Sequence, residues 1–353
     1  MKILKKLLKN TWFVFIYWLT SYIFLVRLLI RPERIFFGQD AKKVKENALK
    51  NFLVDGGKFT DKISHRLAMA YSKNSSVSSF QSSIIDEENA LLNLQMYGYH
   101  VVPNYLTKQQ CASVLDYALN MPSYPRSIDK EAASQAVVTP GKFQQPYLSA
   151  RYDFSPDSNL LFGCDVLQDL ISDKNLHQIA ERYLGLPGLL DPVELWWFVP
   201  YSIRDTAWAE NYHFDYDSLK WLKFFFNFEE ISIENGPHCY IEKTHQSGGI
   251  HRSLRKKGYA RLDDHEVRSV YGEKAEKVFT IPAGSLLIED TRGLHKGLTP
   301  QIGRRLLFSY QLSNILFLTD EILNKRIKPK FPMNEKFKEL YLNNPEFFAR
   351  YFH

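Results

Sequence analysis

Residues 211–230 read NYHFDYDSLKWLKFFFNFEE, and the period of two in this stretch sets the reading of the chain. From Trp221 to Phe228, positions 221, 223, 225 and 227 share one face of an extended segment, and 222, 224, 226 and 228 share the other. Just upstream, His213-Phe214-Asp215 places an imidazole and a carboxylate two residues apart. In an extended backbone both point to one side and can reach one ion, while Phe214 packs on the opposite face.

Two neighbouring ligands hold a metal weakly, so a third is sought elsewhere. His295 follows the apolar run Ile281–Ile288 and the pair Gly293-Leu294. That places it at a strand end, where a side chain can be aimed across a barrel mouth. His238 and His245 are rival third ligands among the ten histidines. Two imidazoles and one carboxylate on one face of an ion leave other coordination positions open, as non-haem iron(II) oxygen chemistry requires. Arg304 and Arg305 then offer a planar fork for a carboxylate co-substrate. They point to opposite faces of a strand.

The order of these elements resembles the phytanoyl-CoA dioxygenase-like family of iron(II)/2-oxoglutarate oxygenases. The resemblance starts at Gly98-Tyr99-His100-Val101-Val102-Pro103-Asn104-Tyr105-Leu106 and Gln109-Gln110-Cys111. It continues through the His213–Asp215 element and Glu234-Asn235-Gly236-Pro237 to His295 and the Arg304 segment. The family implies a mainly β fold with flanking helices around a double-stranded β-helix, or jelly-roll, core. It implies iron(II) on His213, Asp215 and His295, with 2-oxoglutarate and dioxygen as co-substrates. His245 corresponds to a structural turn histidine. The family pattern of an arginine, a basic or small residue and an apolar strand favours Arg304 over Arg305 for the co-substrate. Phe225 falls where many relatives carry a lumen-facing Trp beside the co-substrate, which puts Lys223 inside as well. Lys223 would pair with the second carboxylate of 2-oxoglutarate or with a substrate acid. Thr299 joins this co-substrate set, although Thr299-Pro300-Gln301 departs from the Asn and Ser common before the arginine. Halogenating relatives lack the carboxylate, so Asp215 implies hydroxylation of an unactivated carbon with release of succinate and CO2. A membrane-tethered binding module with a vestigial metal site is the alternative, and a cupin-like metalloenzyme without a keto acid is another.

The net charge of +6 does not indicate a nucleic-acid groove. Seven cations against Glu33 within residues 1–34 account for all of it. Trp12–Val26 carries no formal charge, and Leu28–Ile30 extends the run around Arg27. At about 1.5 Å per residue such a helix approaches the roughly 30 Å of bilayer hydrocarbon. Residues 10–31 are therefore predicted to attach the chain to a membrane. The expected organisation is an anchor over 1–34, a helical linker region over 35–83, the oxygenase domain over 84–315 and a wrapping extension over 316–353. Residues 73–79 read as a flexible linker, and Gln144, Gln145 and Tyr147 as possible ligand contacts. Residues 247–277 form an insertion, read as a lid or a solvated excursion. Cys111, Cys164 and Cys239 show neither a disulfide framework nor zinc spacing. Their usage predicts a reducing compartment, with the catalytic domain on the cytosolic side. The substrate class expected from the anchor is a small or lipid-linked molecule.

Overall fold

The strand that carries Lys223 and Phe225 lies inside a seven-stranded sheet and is buried along its whole length. The computed structural model describes residues 33–72, 85–126, 149–154, 158–201 and 211–353. The segment expected as an anchor, the linker 73–79 and Gln144, Gln145 and Tyr147 lie outside these residues. Within them no helix is long and apolar enough to cross a membrane.

In chain order the strands are β1 (Ile35–Phe37), β2 (Tyr99–Val102), β3 (Ser123–Pro125), β4 (Arg151–Phe154), β5 (Leu189–Phe198) and β6 (Trp221–Asn227). Then come β7 (His238–Ile241), β8 (Glu276–Phe279), β9 (Ser285–Glu289), β10 (His295–Gly297), β11 (Arg305–Ser313) and β12 (Leu316–Leu318). The large sheet has the order β2-β9-β6-β11-β5-β4-β3, and the small one β10-β7-β8. Neighbours in both are antiparallel. A bridge between His213 and His295 adds the segment before Asp215 to the small sheet. From β5 onward the chain passes between the sheets: β5, β6, β9 and β11 are in the large one, while Tyr212-His213, β7, β8 and β10 are in the small one. This is the double Greek-key course of a jelly roll, the core expected from the sequence.

Alternation divides each central strand between two environments. On β6, Leu222, Phe224 and Phe226 join the main core with Phe308 and Tyr310 of β11. Each such fully buried aromatic contributes about 1.5–3 kcal/mol. Phe225 instead joins Trp196, Phe198, Tyr240, Phe279 and Leu287 between the sheets. The stretch 279–288 is shared between β8 and β9, which belong to different sheets. Gly284 makes the turn at φ +77°, where a Cβ would lie 2.5 Å from the Leu106 carbonyl oxygen. Two helices, Asp165–Ile171 and Lys174–Leu184, precede β5. Asp173 caps the second by accepting from the Asn175 N–H at 2.8 Å.

Helices Gly38–Asp55 and Lys58–Ser72 pack on the jelly roll through Ala41, Val44, Ala48, Phe52, Ile63 and Leu67. Phe52 meets Phe214 at 5.1 Å and Tyr216 at 5.4 Å between ring centroids. The middle residue of the His-Phe-Asp element is thus clamped from outside, which holds its neighbours facing inward. Phe337, Phe347, Phe348, Tyr351 and Phe352 of the C-terminal segment close the main core.

Candidate metal and co-substrate site

Tyr212-His213 and β10 are joined by reciprocal backbone bonds, His213 N–H to His295 O at 2.9 Å and His295 N–H to His213 O at 2.8 Å. The Asp215 N–H donates to Thr291 O at 2.8 Å. One ladder therefore positions all three side chains. Their ligand atoms lie within 4.8 Å of one another. Asp215 Oδ1 is 3.9 Å from His213 Nε2, and Oδ2 is 3.7 Å from His295 Nε2.

Both imidazoles are oriented in the same way. His213 Nδ1 is 3.0 Å from the Asn211 carbonyl oxygen, and His295 Nδ1 is 3.0 Å from that of Gly293. A carbonyl oxygen only accepts, so each Nδ1 carries the proton and each Nε2 presents its lone pair inward. Burial, followed by the neighbouring His295, pushes His213 well below its ordinary pKa. Burial lowers His295 too, against the opposing pull of Asp215. Burial disfavours the Asp215 carboxylate, but Lys223 and the two histidines together hold it ionised far below the usual range. Two neutral imidazoles and one carboxylate are the protonation states a divalent ion requires.

The cavity above this group has a volume of about 400 Å³ and is lined by Phe225, Lys223, Thr299 and Arg305 among others. The structure places the two arginines on opposite faces of β11, and the one that enters the cavity is not the one favoured by the resemblance. Arg305 pairs with Phe198 in register and alternates with Leu307, so its side chain enters the cavity. Its guanidinium lies 4.7 Å from the Phe198 ring centre. Arg304 turns to the other face, 5.0 Å from the ring centre of Trp197, a residue of the main core. Arg305 is 3% exposed, and its Nε has no hydrogen-bond partner. Burial pushes its pKa down to about 10. It has no carboxylate partner among the described residues.

Lys223 also departs from expectation. Its Nζ lies 2.8 Å from Asp215 Oδ2 and 3.9 Å from Asp217, so its inward charge is matched by protein carboxylates. It tethers one oxygen of the metal-binding carboxylate and fixes the rotamer of Asp215. Replacing Lys223 by Met is expected to weaken metal binding about 10–100-fold, the usual effect of removing an orienting partner. Equilibrium titration of the two proteins with Fe(II) checks this.

The rival histidines have other partners. His245 Nε2 lies 3.3 Å from Gln95 O, a structural contact. His238 Nε2 lies 2.9 Å from Oε2 of Glu289, which is fully buried, and its ring stacks 5.5 Å from that of His295. Burial raises Glu289 to about 8 and lowers His238 to about 3. Both groups are thus favoured in their neutral forms, and their hydrogen bond runs between Glu289 Oε1 and Nε2 at 3.2 Å. Glu289 was not singled out from the sequence, although it shares a face with Leu287 by parity. Glu194 and Trp196 follow from the same parity on β5. Tyr259 and Arg261 come from the 247–277 insertion, which pairs with the jelly roll through Leu262 and Tyr212. Arg126 and Arg151 lie beside the sheet edge, where no periodic signal marks them.

No protein-family model and no curated protein matches the chain. Solved structures do resemble it. The epimerase SnoN in complex with Fe3+, alpha ketoglutarate and nogalamycin RO is similar at TM-score 0.45 and 15% identity, over 64% of this chain and 83% of that one. HygX from Streptomyces hygroscopicus, with nickel, 2-oxoglutarate and hygromycin B bound, gives TM-score 0.44 and 14% identity, over 71% and 98%. The non-heme alpha ketoglutarate dependent carbocyclase SnoK gives 0.43 and 13%, over 76% and 96%. Likenesses of this degree assign no reaction to the chain; its own side chains must. The donor set fits iron(II), and the orphaned Arg305 fits a carboxylate of 2-oxoglutarate.

Proposed function

We propose that the protein is an iron(II)- and 2-oxoglutarate-dependent oxygenase of the phytanoyl-CoA dioxygenase-like kind, hydroxylating an unactivated carbon of a small or lipid-linked substrate. The observation that carries this reading is the buried, carboxylate-free guanidinium of Arg305 in the same cavity as His213, Asp215 and His295. A buried charge without a counter-ion is costly. A dianionic keto acid would relieve it.

His213, Asp215 and His295 would hold the metal. Arg305 would take the distal carboxylate of the co-substrate, beside Thr299 and Phe225. Bound there, iron and 2-oxoglutarate supply the coupling of keto-acid decarboxylation, yielding succinate and CO2, to a two-electron oxidation by dioxygen. The chain's part is orientation and exclusion of water. Trp196, Phe198, Phe225, Phe279 and Leu287 form an apolar wall around the reacting region. Lys223 keeps Asp215 in place as a ligand.

The first test is anaerobic addition of Fe(II) and 2-oxoglutarate to the full-length protein, watched through the visible metal-to-ligand band of the chelate. The band is expected in the wild type and absent from His295→Ala. No band in either protein would remove the oxygenase reading. Attachment to a membrane through residues 10–31 is part of the proposal, resting on the length of that apolar run. Retention of the chain in membranes through an alkaline carbonate wash tests it, and release would refute it.

A further inference from the structure

The cavity carries more cationic groups than a metal and a keto acid would use. Arg126, Arg151 and Arg261 line it together, on the side that β4 and the 247–277 insertion contribute. They are close enough that Arg151 above all, and Arg261 as well, disfavour the charge on Arg126. Among the described residues, two carboxylates pair with Arg126 and Arg151. Asp153 lies 2.5 Å from Arg151 and 3.6 Å from Arg126, and Glu194 lies 3.1 Å from Arg151. Arg261 is exposed at the rim of the cavity and has neither a hydrogen bond nor an ion pair among the described residues. The field of Asp215 reaches it, but Lys223 already claims that carboxylate.

We propose that Arg261, with Arg126 and Arg151 beside it, is a subsite for an anionic group of the oxidised substrate, a carboxylate or a phosphate. The guanidinium fork matches either oxyanion bidentately. The Trp196 ring, 4.1 Å beneath the guanidinium carbon of Arg151, offers an apolar surface for the adjoining carbon skeleton. An anion held on this wall places the rest of the molecule in the space shared with His213, Asp215 and His295. Arg305 lies in the same cavity, but its role is with the keto acid. The word substrate rests on the proposed oxygenase activity; the subsite itself rests on the arginines.

The test uses four probes that differ only in their head group: cyclohexyl phosphate, cyclohexanecarboxylate, cyclohexanol and cyclohexylamine. Each is titrated into the full-length protein with tryptophan fluorescence as the readout, since Trp196 lines the cavity. The titrations are run in the anaerobic iron(II) and 2-oxoglutarate form, and again without metal. At least one anion is expected to bind about tenfold or more tighter than cyclohexanol, the worth of one charge-assisted hydrogen bond. Which anion binds tighter tells phosphate from carboxylate. In Arg261→Gln this preference falls by about tenfold, and in Arg261→Lys part of it returns. Equal binding of the four probes overturns the subsite. A preference undiminished in Arg261→Gln overturns the role of that residue. The metal-free titration separates this result from the absorption test. Loss of the chelate band sinks the oxygenase reading, while an anion preference without metal still stands.

Discussion

Asp215→Ala is expected to abolish metal binding and turnover while leaving the jelly roll folded. Asp215 is the one carboxylate in the group of potential ligands, so the variant retains two neutral imidazoles and no charge to offset a divalent ion. Iron(II) affinity should fall by more than the about 10–100-fold expected when only an orienting partner is lost. The backbone contacts that shape the site remain, because the Asp215 N–H to Thr291 O bond and the reciprocal His213–His295 pair do not involve the deleted side chain. The variant has a second cost. Lys223, 9% exposed in its side chain, loses the partner at 2.8 Å and keeps Asp217 at 3.9 Å. Breaking a buried pair from one side costs about 3–5 kcal/mol, and Asp217 makes the low end the expectation. The double variant Asp215→Ala/Lys223→Met should regain most of that stability in thermal unfolding and none of the metal binding. If the double variant recovers iron(II), or if Asp215→Ala turns over normally, the assignment of Asp215 as a ligand is wrong.

The triad was legible because a period of two needs no tertiary information. His213 and Asp215 face one way whenever the segment is extended, and Phe214 then faces the helix that carries Phe52. Trp221–Phe228, read from alternation, carries β6, and the apolar run Ile281–Ile288 leads into β9 at Ser285. The arginine is where the resemblance and the structure point to different residues. Arg304 and Arg305 are adjacent, and both faces of β11 are buried, but Leu306, Phe308, Tyr310 and Leu312 share the apolar face while Ser309, Gln311 and Ser313 lie with Arg305 on the other. The alternation is weak where the strand begins, because Leu306 and Leu307 are both apolar, so the residues next to the arginines do not separate them. Pairing register decides it, through Arg305 opposite Phe198. Lys223 failed differently: its inward direction followed from parity, but its partner came from another segment, eight residues earlier. Arg126, Arg151 and Arg261 were silent in the sequence, since the cavity wall they share is assembled from segments far apart in the chain.

Arg305→Met and Arg304→Met are expected to differ in two measurements, and to opposite signs in one variant. For Arg305→Met the dissociation constant for 2-oxoglutarate should rise roughly a hundredfold, within the 2–5 kcal/mol that truncating one side of a buried charge pair costs. In the absence of co-substrate the same variant should be more stable than the wild type. Its guanidinium is 3% exposed, has an unsatisfied Nε and lacks a carboxylate among the described residues. Replacing such a charge by an apolar chain of similar length removes a desolvation cost. A side chain kept for ligand binding at the expense of the apoprotein has this signature. Arg304→Met should change 2-oxoglutarate binding less than about twofold, and the loss of its stacking on Trp197 should cost about 0.5–1 kcal/mol. Calorimetric titration with 2-oxoglutarate and thermal unfolding of the metal-free proteins read both quantities. If Arg304→Met loses the keto acid and Arg305→Met retains it, β11 is paired one residue out of register, and the lumen face of the whole strand must be reassigned.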